Sequence, residues 1–115
     1  MAVTGRRWSS WRRMRISGSS MRPALRDRDV VLVLLGGRPR PGDVVLVRWA
    51  QLPGRLSVKR AVRPQRPGWY VTGDNPGSSA DSREMGPAEV LGVVRWRLWP
   101  RPGPIGYPAC WRSSS

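Results

Sequence analysis

Two similar units constrain this chain most. Arg26-Asp27-Arg28-Asp29 runs into Val30-Val31-Leu32-Val33, and Arg40-Pro41-Gly42-Asp43 runs into Val44-Val45-Leu46-Val47, with Asp29 and Asp43 fourteen residues apart. β-Branched side chains are stiff at χ1 and fit a pleated surface, while the polar residues ahead of them favour turns. Each unit therefore reads as a turn feeding a strand, with Asp29 and Asp43 as turn residues. A strand with one wet face alternates apolar and polar residues. Unbroken valine runs instead predict strands buried on both faces or inside a small barrel. The fold class that follows is mainly β, a small closed or partly open barrel or coiled sheet with little helix.

The rest of the chain supplies further strands. Leu56-Ser57-Val58-Lys59-Arg60-Ala61-Val62 alternates, with Leu56, Val58 and Val62 on one face and Ser57, Lys59 and Ala61 on the other. Trp69 to Thr72 reads as another strand, and Val90 to Trp99 as the last, stopped by Pro100. Between them Gly73-Asp74-Asn75-Pro76-Gly77-Ser78-Ser79-Ala80-Asp81-Ser82-Arg83 is a long polar loop of strong turn formers, in which Ser78 and Ser82 are read as turn residues. At 115 residues the chain has room for one domain with one core. The expected division is a flexible basic leader over 1–14, a core over 15–100, and an irregular Pro/Gly/Ser-rich tail over 101–115.

Residues 1–15 hold five arginines and two tryptophans but neither a spanning apolar stretch nor the apolar core of a secretory signal. No transmembrane segment is expected in this chain. Peripheral attachment stays open, with Trp8, Trp11, Met14 and their arginines on an anionic membrane surface.

Inventory then restricts the chemistry. The chain contains no histidine and a single cysteine, Cys110, which excludes a Ser-His-Asp triad, a Cys-His dyad, an internal disulfide and nearly every zinc site. Cys110 is read as a small apolar tail residue. Among the remaining ways to activate a serine is an unprotonated lysine. Of 21 basic residues only Lys59 is lysine. Arginine replaces lysine as a surface cation but not as a general base, because the guanidinium keeps its proton while a buried amine can lose it. Lys59 is thus a candidate base. The candidate nucleophile lies in Ser17-Gly18-Ser19-Ser20-Met21-Arg22-Pro23, a glycine-containing turn closed by proline.

The order SGSSMRP, the two Asp-Val strands, Val58-Lys59-Arg60 and GDNPGSSADSR resembles the catalytic core of the signal peptidase I family of Ser/Lys proteases, over about residues 15 to 100. That resemblance implies the family's barrel-like β core, Ser20 as nucleophile and Lys59 as general base. It makes Ser79 the serine that orients the lysine. It gives Arg60, Asp74, Asp81 and Arg83 bracing roles, and it lets Met21 and Pro23 shape the nucleophile turn. Some members place a serine two positions before the nucleophile to help bind the oxyanion. Gly18 stands there, leaving the oxyanion to backbone N–H groups, above all that of Ser20, unless Ser17 or Ser19 turns inward. No cofactor or metal is implied.

The short arrangement with an arginine- and tryptophan-rich final strand is similar to the nickel-type superoxide dismutase maturation proteases. It implies a soluble, cytoplasmic enzyme that removes a propeptide from a precursor bound as an extended peptide. Catalysis near neutrality requires the Lys59 amine to be lowered far below its ordinary range, so Lys59 is expected to be buried under apolar side chains. Three other readings stay open. One is cleavage of secretory preproteins at the membrane. Another is a protease fold kept for interaction only. The third is a basic nucleic-acid-binding module, suggested by a net charge of +14 and seven tryptophans but lacking a recognition motif.

Overall fold

Asp29 and Asp43 build the same turn twice. Asp29 Oδ2 accepts the Arg26 N–H at 2.8 Å, and Asp43 Oδ2 accepts the Arg40 N–H at 2.9 Å. In both units the aspartate N–H also returns to the carbonyl three residues back, at 3.0 Å. The carboxylate satisfies a turn donor that no strand could reach, and the valines that follow are released into the sheet.

The computed structural model describes residues 10–18, 21–75 and 82–106, with the backbone alone at 83 and 84. Its elements are β1 (Trp11–Arg15), β2 (Val30–Leu35), β3 (Val44–Arg48), β4 (Ser57–Gln65), β5 (Gly68–Thr72), α1 (Ser82–Met85) and β6 (Glu89–Trp99). The six strands form one antiparallel sheet in the order β1-β2-β6-β3-β4-β5. The mainly β, partly open architecture expected from the valine runs is what forms. It does not close into a barrel, but it curls far enough that Trp69 of β5 exchanges two 2.9 Å backbone hydrogen bonds with Ala88, just ahead of β6. Gly68 permits this contact, because a Cβ there would stand 2.0 Å from the Ala88 carbonyl oxygen.

The curl splits the core. One cluster gathers Ile16, Met21, Leu25, Val31, Val33, Val44, Leu46 and Val94, and the other Val45, Val47, Trp49, Ala61, Val71, Ala88 and Val93. β3 lies between them, so Val44 to Val47 are all buried, as its unbroken run predicts. The matching run of β2 differs. Val31 and Val33 are buried while Val30, Leu32 and Leu34 are only half-buried, because nothing among the described residues covers the outer face of β1, β2 and the end of β6.

Two boundaries also fall elsewhere than expected. Trp11 to Arg15 pair in register with Leu34 to Val30, which draws residues 11–14 of the expected leader into the sheet. At the other end Gly103 pairs with Arg97 in both directions and Ile105 packs on the first cluster, so this part of the tail joins the fold. Residues 107–115, with Cys110, lie outside the described residues.

Candidate active site

β4 carries the two buried cations of the described chain back to back. Lys59 pairs with Val45 and Arg60 with Val44 across the β3–β4 ladder. Paired residues share a face and successive residues alternate, so Lys59 stands with Val45 and Ala61 on the side of the second cluster, and Arg60 on the side of the first. Both are almost withdrawn from solvent, at 3% and 1% exposure. Ser57 and Ala61, two residues to either side, keep the surroundings of Lys59 small, as the alternation of this strand indicates.

Burying a guanidinium requires its donors to be used, and Arg60 uses them. Its Nε reaches Asp74 Oδ1 at 3.1 Å and its Nη2 reaches Asp74 Oδ2 at 2.5 Å, a bidentate pair whose side chains are each 2% exposed. Nη1 donates to the Gly42 carbonyl at 2.9 Å, and Nη2 to the Gly106 carbonyl at 2.8 Å. One side chain thus ties β4 to the turn before β3, to the loop after β5 and to the C-terminal segment. The register explains why Asp74 arrives there. Thr72 is the β5 partner of Arg60, and Asp74 follows two residues later. Residue matching groups Arg60 with Asp74, but it does not reveal the two carbonyl partners. Those depend on where distant backbone passes.

The Ser/Gly turn is fixed on both flanks. The Ile16 N–H donates to the Asp29 carbonyl, and the Arg28 N–H to the Ile16 carbonyl, both at 2.7 Å. The Gly18 N–H donates to Asp27 Oδ1 at 2.9 Å. On the far side Met21 accepts from the Leu25 N–H at 2.9 Å, and both side chains are buried in the first cluster. Pro23 is exposed and Ser17 faces solvent. Gly18 has φ +91°, with nothing within 4 Å of a hypothetical Cβ. Glycine is there for its backbone conformation, which serine would adopt only with strain. Ser19 and Ser20 lie outside the described residues, as do Ser79 and Asp81 of the polar loop, while Arg83 is described only as backbone of α1.

The loop's exit carries a residue that sequence reasoning left as a plain turn former. Ser82 opens α1, is 5% exposed, and its Oγ accepts the Val71 N–H of β5 at 2.9 Å. Trp49 Nε1 donates to the Gly86 carbonyl, and Gln51 Nε2 to the Met85 carbonyl, both at 2.9 Å. A buried serine at a helix start beside a strand N–H leaves no local periodicity from which to read it.

These features define a class first. An antiparallel sheet buries a lysine and a braced arginine on adjacent positions of one strand, and the Ser/Gly turn is anchored through Met21 to the first cluster, the side that Arg60 faces; the family match makes this a peptidase-type scaffold. Residues 9–95 match the Peptidase S24-like family, more than half of the 115-residue chain, and the chain belongs to that family. Membership gives it a peptidase-type function of the serine-protease-like kind. No curated protein matches the chain.

Proposed function

We propose that this chain is a Ser/Lys endopeptidase that removes an N-terminal propeptide or leader from a protein precursor, with Ser20 as nucleophile and Lys59 as general base. The observation that carries the reading is the burial of Lys59, the only lysine among 21 basic residues, at 3% exposure on the small-residue face of β4. A buried ammonium is disfavoured relative to the neutral amine, which is the form a base needs. Neutral Lys59 takes the Ser20 hydroxyl proton as Oγ attacks the scissile carbonyl. The lysine ammonium then protonates the departing amine, leaving an acyl-serine. Water, deprotonated by the regenerated amine, attacks that ester and releases the new carboxylate. Ser79 orients the amine. The oxyanion is held by backbone N–H groups, chiefly that of Ser20, since Gly18 has no side-chain donor.

The substrate we favour is the precursor of a nickel-type superoxide dismutase. Purified protein should be incubated with that precursor and, separately, with a preprotein carrying an Ala-x-Ala site. Cleavage of only the latter would sink the dismutase assignment. Labelling by an acylating inhibitor of Ser/Lys proteases tests the dyad itself. The label should map to Ser20 and disappear in Ser20→Ala and in Lys59→Arg. A label retained in both folded variants would remove the proposed chemistry.

A further inference from the structure

Among the described residues nothing covers one broad face of the sheet, and the strand register decides what stands on it. β1 and β2 pair Trp11 with Leu34, Arg13 with Leu32 and Arg15 with Val30. β2 and β6 pair Leu32 with Trp96 and Val30 with Trp99. Cross-strand partners share a face, so these pairs form three successive rows on the outer side: Trp11 and Leu34, then Arg13, Leu32 and Trp96, then Arg15, Val30 and Trp99.

The two tryptophans of β6 are three residues apart, and strict alternation would send them to opposite faces. The irregularity in register between Val30 and Val31, where β6 carries Leu98 as an extra residue, brings both to the same one. Exposure agrees with the register. Trp11, Trp96 and Trp99 are 39%, 43% and 58% exposed, the three β2 residues between them are half-buried, and Val31 and Val33 on the other face are fully buried.

We propose that this face of β1, β2 and β6 docks onto an anionic lipid bilayer. Flat tryptophan and aliphatic side chains flanked by arginine match the boundary between acyl chains and headgroups, where indole rings settle and guanidinium groups meet lipid phosphates. β1, β2 and the stretch of β6 from Leu91 to Trp99 contain no acid, so nothing on these strands repels an anionic surface. Aliphatic Val30, Leu32 and Leu34 between the rings favour lipid over nucleic acid, since bases stack on rings but gain little from branched alkyl groups. The site thus differs from a terminal amphipathic segment. Trp11 acts as part of a sheet face together with residues more than 80 positions later.

The test is cosedimentation of the full chain with vesicles of pure phosphatidylcholine and with vesicles of equal parts phosphatidylcholine and phosphatidylglycerol. The protein should partition onto the mixed vesicles and not onto the pure ones. Trp96→Ala/Trp99→Ala should weaken partitioning about tenfold or more. Arg13→Glu/Arg15→Glu should weaken it at least about 25-fold, roughly fivefold per cation withdrawn. The control Arg55→Glu/Arg66→Glu changes net charge equally at exposed positions away from this face, and should change partitioning less than about threefold. Circular dichroism should give all variants the wild-type spectrum. Equal loss in the control would mean that net charge alone drives binding, which overturns the proposal. So would an absence of vesicle binding, or tryptophan-dependent binding to single-stranded DNA in its place.

Discussion

Removing one partner of the Arg60–Asp74 pair tests whether this contact fastens the sheet. In Asp74→Ala the guanidinium stays where four elements meet, 2% exposed, with its bidentate acceptor gone and only the Gly42 and Gly106 carbonyls left among the partners described above. Breaking a buried pair from one side costs about 3–5 kcal/mol, because the remaining charge is neither hydrated nor matched. For a domain of this size that lowers the thermal midpoint on the order of 10–25 °C. Arg60→Met should cost at least as much, since it strands the Asp74 carboxylate and leaves two carbonyls without their donor. In Arg60→Met/Asp74→Ala neither charge is left behind, so the double variant should be less damaged than the sum of the singles by roughly 2 kcal/mol. Urea unfolding followed by far-ultraviolet circular dichroism measures all three terms of this cycle. If Asp74→Ala costs under about 1 kcal/mol, or the singles simply add, the pair is a solvated contact and the fastening argument fails.

Two further perturbations separate architecture from chemistry. Gly68→Ala places a methyl group 2.0 Å from the Ala88 carbonyl oxygen and 2.8 Å from its carbon, so the Trp69–Ala88 bridge must open. The expected loss is about 1–3 kcal/mol, with faster amide exchange at Trp69 and Ala88; wild-type exchange at both would refute it. Lys59→Met keeps the length of the side chain and removes a buried amine. It should hold stability within about 1.5 kcal/mol while abolishing inhibitor labelling. Lys59→Arg should also abolish labelling and, by forcing a larger permanent cation among small neighbours, cost a further 1–3 kcal/mol or so. A stable Lys59→Arg protein that still acylates would contradict both the burial argument and the dyad.

What was legible in the chain follows the range of the forces involved. β2 and β3 are announced by valine-rich runs and by turns whose aspartates act within three residues, β4 by its alternation, and β5 and β6 by apolar stretches bounded by turn formers, all on a scale that sequence displays directly. β1 is not announced. Its Trp11-Arg12-Arg13-Met14-Arg15 becomes a strand because β2 offers an edge for it to pair with, and its own composition carries little strand preference. The same limit explains why the similar runs of β2 and β3 end up differently. One run lies between two clusters and the other has an outer face that nothing among the described residues covers, a matter of neighbours decided by the order β1-β2-β6-β3. In the candidate site, inventory and motif order single out Lys59 and Arg60, and both are buried. The use of Arg60 by Gly42 and Gly106, and of Ser82 by Val71, was not legible, because each joins segments whose approach only the completed sheet creates.

The adjacency of Lys59 and Arg60 acquires a physical reason once the strand is in place. Neighbouring residues on a strand face opposite ways, so a single peptide unit sets one cation into each half of the divided core. The demands on the two are opposite. Arg60 must bridge a carboxylate and two carbonyls at fixed angles while staying charged, which suits a planar fork of donors and does not suit an ammonium. In the proposed reaction Lys59 must be able to give up its proton, which no arginine does in a protein. The arginine-rich drift of the whole chain could convert every cation whose task is charge or hydrogen bonding, and Arg60 is compatible with that drift. It could not convert Lys59 without ending the proposed reaction. The brace and the proposed base are thereby coupled through the backbone: Arg60 and Asp74 hold β4 in register, and that register presents the amine of the preceding residue, Lys59, to the other side of the sheet.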